Sequence, residues 1–364
     1  MLPWRRVVLA AAFAVPLAWG QEWQVAYSHN MPRESLVLTD LAFPTAERGI
    51  AVGVIRETRG NGEGRDLHAV ALLTSNGGTT WNQVTLEEVP VSLSFLDEAL
   101  GWMVTAQGIW RTEDSGFGWT RLSRHAQNSI ERVWFLDSLH GFAVGREKTV
   151  LETRDGGSRW EPVPEATEPT GSPAYTGYTQ IAFADGQRGL IVGSSTPPGA
   201  GKNARQVPTM TLQLQTLNGG VVWVGSAAPL FGQVSGLKLT RSDGLIVFAY
   251  TDTFEVPSEV YRLELRTGGT TSVFKQKDRL VTGVALFSGQ AFLAVAEPKA
   301  RANPGRGKVR MLTTTDFVKW SEMKVDKRAS GARVLLAGPD AEHVWAATDT
   351  GMLLKMMAEK PRKE

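Results

Sequence analysis

Cysteine is absent from all 364 residues. That excludes disulfides, thiolate metal centres, cysteine nucleophiles and a lipid-modified cysteine. Histidine is scarce too. His29, His68, His125, His140 and His343 are scattered, with no H-E-x-x-H or other compact ligand set, so neither a metal centre nor a bound cofactor is expected. There is no G-x-S-x-G, no P-loop and no dinucleotide fingerprint, and the glycines from Gly60 to Gly64 lack phosphate-binding spacing. An excess of one charge is also missing. The formal net charge is +2, so the molecule as a whole does not read as a nucleic-acid binder.

Long apolar runs are limited to one. Met1-Leu2-Pro3-Trp4-Arg5-Arg6 is followed by an apolar stretch from Val7 to Trp19, with small residues at Ala18 and Gly20. A basic start, a short apolar core and a small-residue site read as a secretory signal peptide cut before Gln21. The run is too short to span a bilayer comfortably, and no other stretch is apolar enough, so no membrane span is expected after cleavage. Residues 1–20 are read as the signal, 21–358 as a single domain and 359–364 as a charged tail. An exported, cysteine-free chain fits the periplasm or the extracellular space.

The chain is rich in turn residues and aromatics, with 38 Gly, 18 Pro and 12 Trp, and it has no long amphipathic helical pattern. All-β is therefore the expected class. One motif recurs. Thr153-Arg154-Asp155-Gly156-Gly157 leads to Trp160, Thr112-Glu113-Asp114-Ser115-Gly116 to Trp119, Thr74-Ser75-Asn76-Gly77-Gly78 to Trp81, and Thr216-Leu217-Asn218-Gly219-Gly220 to Trp223. A shorter copy without glycine runs from Thr314 through Asp316 to Trp320. The acid or amide is suited to accept backbone N–H bonds in an Asx-type turn. The second glycine can take positive φ, and the tryptophan can cover the apolar side of the hairpin. Asp114, Asp155 and Asp316 are thereby assigned to folding and not to catalysis. The motif resembles the Asp-box, or BNR, repeat.

A longer unit surrounds each box: a strand ending in phenylalanine (Phe43, Phe95, Phe135, Phe183), a turn, an apolar strand opened by glycine, a strand ending in threonine, the box, and a strand after its tryptophan. Four antiparallel strands in about 40 to 50 residues is the period of a propeller blade. The expected fold is a seven-bladed β-propeller of four-stranded antiparallel blades. The last blade runs out of strands at Met352-Leu353-Leu354-Lys355, and Glu22-Trp23-Gln24-Val25 supplies the missing one, so the N-terminal strand is expected to close the ring.

Three second-to-third-strand loops are expanded, Glu57 to Asp66, Ser194 to Pro208 and Glu297 to Lys308, and all should project from one face. Lys202, Arg205, Lys299, Arg301, Arg306, Lys308 and Arg310 lie in or beside them. Together they form a candidate basic patch for an acidic protein segment, against the plainer reading that surface loops carry cations for solubility.

Over nearly all of residues 21–355 the chain resembles the photosystem II stability/assembly factor-like propellers, on its F-x-D, G-x-x-V-G and T-x-D-G-G-x-x-W elements. That resemblance implies an exported, non-enzymatic scaffold, monomeric and without cofactor, that binds a protein partner in the cell envelope. The alternative is a glycan-binding or glycoside-cleaving Asp-box propeller, sialidase-like or xyloglucanase-like. For the sialidase-like form, no R-I-P-type arginine motif is present, and Tyr250 and Tyr261 near Glu255 and Glu259 are the nucleophile-pair candidates.

Overall fold

A computed structural model describes residues 21–57, 65–123, 130–198, 209–250, 255–298 and 307–358. The chain is all-β, with two short 3-10 turns at Pro164–Thr167 and Pro173–Tyr175. It opens with β1 (Gln21–Ser28). Five four-stranded antiparallel sheets follow in chain order. They are β2 (Glu34–Ala42), β3 (Gly49–Glu57), β4 (Arg65–Thr74) and β5 (Asn82–Leu86); β6 (Pro90–Phe95), β7 (Gly101–Thr105), β8 (Ile109–Thr112) and β9 (Thr120–Ser123); β10 (Ile130–Phe135), β11 (Gly141–Gly145), β12 (Val150–Thr153) and β13 (Glu161–Pro162); β14 (Thr176–Phe183), β15 (Gly189–Ser195), β16 (Met210–Thr216) and β17 (Val224–Phe231); and β18 (Gln233–Leu239), β19 (Asp243–Ala249), β20 (Ser258–Glu264) and β21 (Gly269–Lys275). The remaining strands are β22 (Leu280–Phe287), β23 (Gln290–Ala296), β24 (Arg310–Thr314), β25 (Ser321–Val325), β26 (Val334–Ala337), β27 (Trp345–Thr348) and β28 (Met352–Ala358). They join β1 in one eight-stranded sheet, in the order β22-β23-β24-β25-β1-β28-β27-β26.

The architecture is a β-propeller. Each innermost strand touches the next in the cycle β2, β6, β10, β14, β18, β22, β26 and back to β2. β1 runs antiparallel to β28 from Gln21↔Ala358 to Ser28↔Met352. It also pairs in parallel with β25 through Glu22↔Lys324 and Trp23↔Val325, a junction that the repeat pattern does not foretell. That junction is held by the fully buried Trp23, whose indole N–H points at Met323 Sδ at 3.4 Å, and by the Lys324–Glu22 ion pair at 2.8 Å.

The sheets are joined by a recurring wedge. Trp102 on β7 stacks on Phe135 of the next sheet, with centroids 3.5 Å apart and planes 4° from parallel, and donates its indole N–H to Gly156 O at 3.0 Å. Trp345 on β27 does the same to Phe43, at 3.8 Å and 3°, and donates to Gly77 O at 3.3 Å. Phe142 on β11 packs against Phe183 and Trp223. A Cβ on Gly220 would lie 2.2 Å from the Phe142 ring, so that glycine is needed for close approach as well as for its φ of +89°. Trp81, Trp119, Trp160 and Trp223 meet the phenylalanine that ends the first strand of their own sheet edge-on, as in Phe135–Trp160 at 6.1 Å and Phe43–Trp81 at 6.0 Å, whereas Trp320 meets Phe274. At Trp102, Trp345 and Phe142, therefore, an apolar second-strand side chain reaches into the box of the neighbouring sheet.

Six innermost strands share a second device. Their register skips one residue at Thr39, Val91, Glu131, Thr179, Ser235 and Thr282. Such bulges bend a strand and leave a ladder group unpaired. The hydroxyls of Thr39, Ser235 and Thr282 fill that gap by donating to Val52 O, Val247 O and Ala294 O at 3.2, 3.3 and 3.3 Å.

Strand alternation puts the box turns and the first-to-second-strand turns at one end of the ring. The second-to-third-strand loops and the sheet-to-sheet connections share the other. Since the wedge carries the contact between sheets, Trp102→Ala should cost about 3–5 kcal/mol. Trp119→Phe, which keeps most of its apolar contact, should cost far less. Urea unfolding followed by intrinsic fluorescence reads the difference.

Candidate functional site

The repeated acids are occupied by the turns they sit in. Asp114 Oδ1 accepts Gly118 N at 2.8 Å and the Thr112 hydroxyl at 2.8 Å, while Thr112 Oγ1 accepts Gly116 N at 2.9 Å. Asp155 repeats the pattern with Arg159 N and Thr153, and Asn76 and Asn218 do so through Thr80 N and Val222 N. In the shorter copy Asp316 accepts both Val318 N and Lys319 N, and Phe317 takes the left-handed φ of +59° that glycine holds elsewhere. Trp81, Trp119 and Trp160 donate their indole N–H groups to the second-glycine carbonyls of their own boxes at 2.9–3.1 Å. Trp223 is buried with no such partner, and Trp320 donates to Val273 O.

A second set of acids closes the other turns at that end. Asp97, Asp137, Asp185 and Asp340 each accept two backbone N–H groups from the turn that follows a first strand. At Asp185 the backbone N–H and then the guanidinium of Arg188 hold the carboxyl down at about 2. None of these aspartates is left free for chemistry on a substrate.

Of the candidate basic residues, Lys202, Arg205, Lys299, Arg301 and Arg306 lie outside the described residues. Lys308 is exposed and bridges Ser330 across the β25–β26 connection. Arg310 sits on β24, where its guanidinium meets Glu322 at 3.0 Å. At the end opposite the boxes, Lys308 and Arg310 are the two of these seven residues that the structure describes. This end also carries an insertion that the loop comparison missed, between β13 and β14. Its signal was the cluster Pro162, Pro164, Pro169 and Pro173. Buried Lys148 pins it by donating to Thr167 O and Pro169 O at 3.1 and 2.5 Å, and Tyr178 donates to Ala166 O at 2.9 Å.

The axis of the ring holds a cavity of about 100 Å³, lined among others by Asp40, Arg132, Gln180, Ser235, Lys238 and Thr282. Asp40, Arg132 and Gln180 occupy the same position, the first residue after the bulge and three before the strand's phenylalanine. That placement was the available signal for them, because the bulge turns this position toward the axis. In β18 and β22 the position is glycine, Gly236 and Gly283, and Lys238 follows two residues later. A Cβ on Gly283 would come within 2.3 Å of Val334 O, so that wall is bare backbone by necessity. Asp40 accepts Leu41 N at 2.9 Å and Leu93 N at 2.8 Å, and Arg132 stands off at 3.8 Å. Lys238 is exposed to the channel, with protein packed around it. That enclosure, and then the Arg132 charge, pushes its ammonium below the usual lysine range, with Asp40 acting in the opposite sense.

Away from the axis, Tyr250 O–H donates to Glu259 Oε2 at 3.1 Å and the Ser272 hydroxyl to Oε1 at 2.6 Å. Burial, then the Glu259 charge, drives the Tyr250 phenol upward. A phenol pushed that way is a poorer nucleophile.

Comparison with known proteins adds to this geometry. The family model described as photosynthesis system II assembly factor YCF48 matches residues 118–198. No curated protein sequence matches the chain. A structure of YCF48 bound to a D1 peptide superposes with a TM-score of 0.60 at 14% identity, covering 93% of this chain and 97% of that one. The chain has the β-propeller fold, and the family match is confined to residues 118–198. YCF48 from Cyanidioschyzon merolae gives 0.58 at 16% identity, covering 92% and 98%. An ancestral GH74 enzyme gives 0.52 at 14% identity, covering 76% of this chain and 37% of that one. At these identities each likeness speaks for the propeller fold alone.

The depressed Asp185 carboxyl sets a pH dependence. A folded value of about 2 against an ordinary 3.8 means its contribution is complete above about pH 4 and is lost as pH falls toward 2. Asp185→Asn keeps an acceptor oxygen but removes the charge. Melting curves between pH 5 and pH 2 should therefore fall less steeply for the variant than for the parent protein.

Proposed function

We propose that this chain is an exported, non-enzymatic scaffold that holds a protein partner in the cell envelope. The partner offers an acidic segment to the face where the expanded second-to-third-strand loops gather. On this reading residues 1–20 direct export to the periplasm or beyond, and the mature protein is a monomer. The ring has seven blades, the last completed by β1, so that the N-terminal strand closes it. Residues 359–364 form a charged tail.

The observation that supports the reading is likeness over whole lengths: this propeller and the peptide-bound YCF48 cover one another almost end to end. The fate of the acids points the same way, since both repeated aspartate sets are spent on turns. Most glycosidases, the xyloglucanase-like form among them, use a pair of carboxyl groups about 5 to 10 Å apart. Among the described lining residues of the axial cavity, Asp40 is the single carboxylate.

The test is affinity capture from the organism's own envelope extract. The parent protein is compared with a variant in which Lys299, Arg301, Arg306, Lys308 and Arg310 are changed to Ser. A partner held at low salt, released at high salt and missed by the variant is the expected result, because exposed charge pairs are screened within about 10 Å at 0.1 M salt. Equal capture by both proteins would remove the basic face from the reading. Capture of no protein, together with binding on a glycan array, would transfer it to the carbohydrate alternative.

A further inference from the structure

The axial cavity holds a charge imbalance that the fold itself does not resolve. Two cations, Arg132 and Lys238, face one carboxylate, Asp40. Asp40 is already engaged by two backbone N–H groups, and its nearest approach to Arg132 is 3.8 Å, beyond hydrogen-bond reach. Among the described residues neither the Arg132 guanidinium nor the Lys238 ammonium has a hydrogen-bond partner in the protein. Their donors therefore have unfilled capacity at the lining of the cavity. Cations forced together in such a place attract an anion more strongly than they would at the surface.

The shape of the site narrows the chemistry. Two positive charges and one negative leave a net +1, which a monoanion neutralises and a dianion would overshoot. A guanidinium and an ammonium lining one cavity can serve the two oxygens of a carboxylate. About 100 Å³ is well below the roughly 300 Å³ at which ordinary ligand pockets begin, so only a few heavy atoms fit. The walls on the β18 and β22 side are Gly236 and Gly283 with Val281, Val284 and Leu336 beside them, apolar room for a short aliphatic tail. Gln180 and the hydroxyls of Ser235 and Thr282 supply polar atoms at the rim.

We propose that the axial channel binds a small monocarboxylate between Arg132 and Lys238. This goes beyond the scaffold reading, for it needs no partner surface. The carboxylate has two sources, a free short-chain acid or the C-terminus of a polypeptide entering the channel, and the chemistry at the two cations is the same in both.

Isothermal titration of the mature protein with sodium propionate tests the site directly. Propionamide, inorganic phosphate and two tripeptides, one with a free and one with an amidated C-terminus, serve as comparison ligands. The expected result is saturable binding of propionate or of the free-carboxylate tripeptide. Propionamide and the amidated peptide should not bind, and phosphate should bind at least about tenfold more weakly. Lys238→Met should lose at least about tenfold in affinity and Lys238→Arg should retain it, with melting curves confirming that both fold. Propionate binding alone assigns a free acid, and peptide binding alone a chain terminus. No saturable binding to the parent protein, equal binding of the amides, phosphate binding as tight as carboxylate binding, or full affinity in Lys238→Met would each overturn the proposal. Should Lys238→Met fail to fold, the amide and phosphate comparisons on the parent protein still decide it.

Discussion

The structure depends on one contact made over and over, the insertion of a second-strand apolar side chain into the box of the neighbouring sheet. A four-stranded sheet has two faces to bury and cannot do so alone. In this ring Trp102, Phe142 and Trp345 reach across the gap, where they meet the phenylalanine that ends the next first strand and, through it, the box tryptophan. The box glycine carbonyl that accepts the indole N–H ties the turn to the adjacent sheet as firmly as to its own. The tryptophan of the box is therefore half of an inter-sheet joint and not merely a lid on its own hairpin.

That joint sets the geometry at the axis. Sheets wedged side by side in this way converge toward the centre, where the first strands touch one another in turn. The repeated bulge bends six of them away and turns one residue per strand toward the axis. Where that residue is glycine the backbones approach closely, as at Gly283 against Val334. Where it is charged, the two cases differ: Asp40 accepts the backbone N–H groups of Leu41 and Leu93, while Arg132 has no hydrogen-bond partner among the described residues. The depressed lysine at position 238 is the electrostatic trace of enclosure at the axis.

The two ends of the ring divide the labour. At the box end the acids are consumed by backbone N–H groups, so charge density there reports folding. The opposite end carries the connections that vary in length, including the 163–175 insertion clamped by Lys148. A lysine satisfied by two carbonyl oxygens and buried below the surface is a structural pin and leaves that face with a rigid edge. A rigid scaffold beneath variable connections is the arrangement in which propellers and other repeat folds place recognition.

The sequence alone determined the strand order, the positions of the boxes, the all-β class and the structural use of Asp114, Asp155 and Asp316. Each of these follows from hydrogen bonds that close within four residues, as between Asp155 and Arg159 N, so local spacing is enough to read them. Even the polar position three before each of Phe43, Phe95, Phe135 and Phe183 was visible, though its meaning was not. Tertiary structure alone decided which distant residues meet. Trp102 finds Gly156, 54 residues away, because the neighbouring sheet brings it there. Asp40, Arg132 and Lys238 come together because separate first strands converge on one axis. The parallel junction of β1 with β25 has the same origin, since it joins the first strand of the chain to one near its end. Periodicity specifies a blade. The meeting of side chains from different blades is a property of the ring, and no local pattern encodes it.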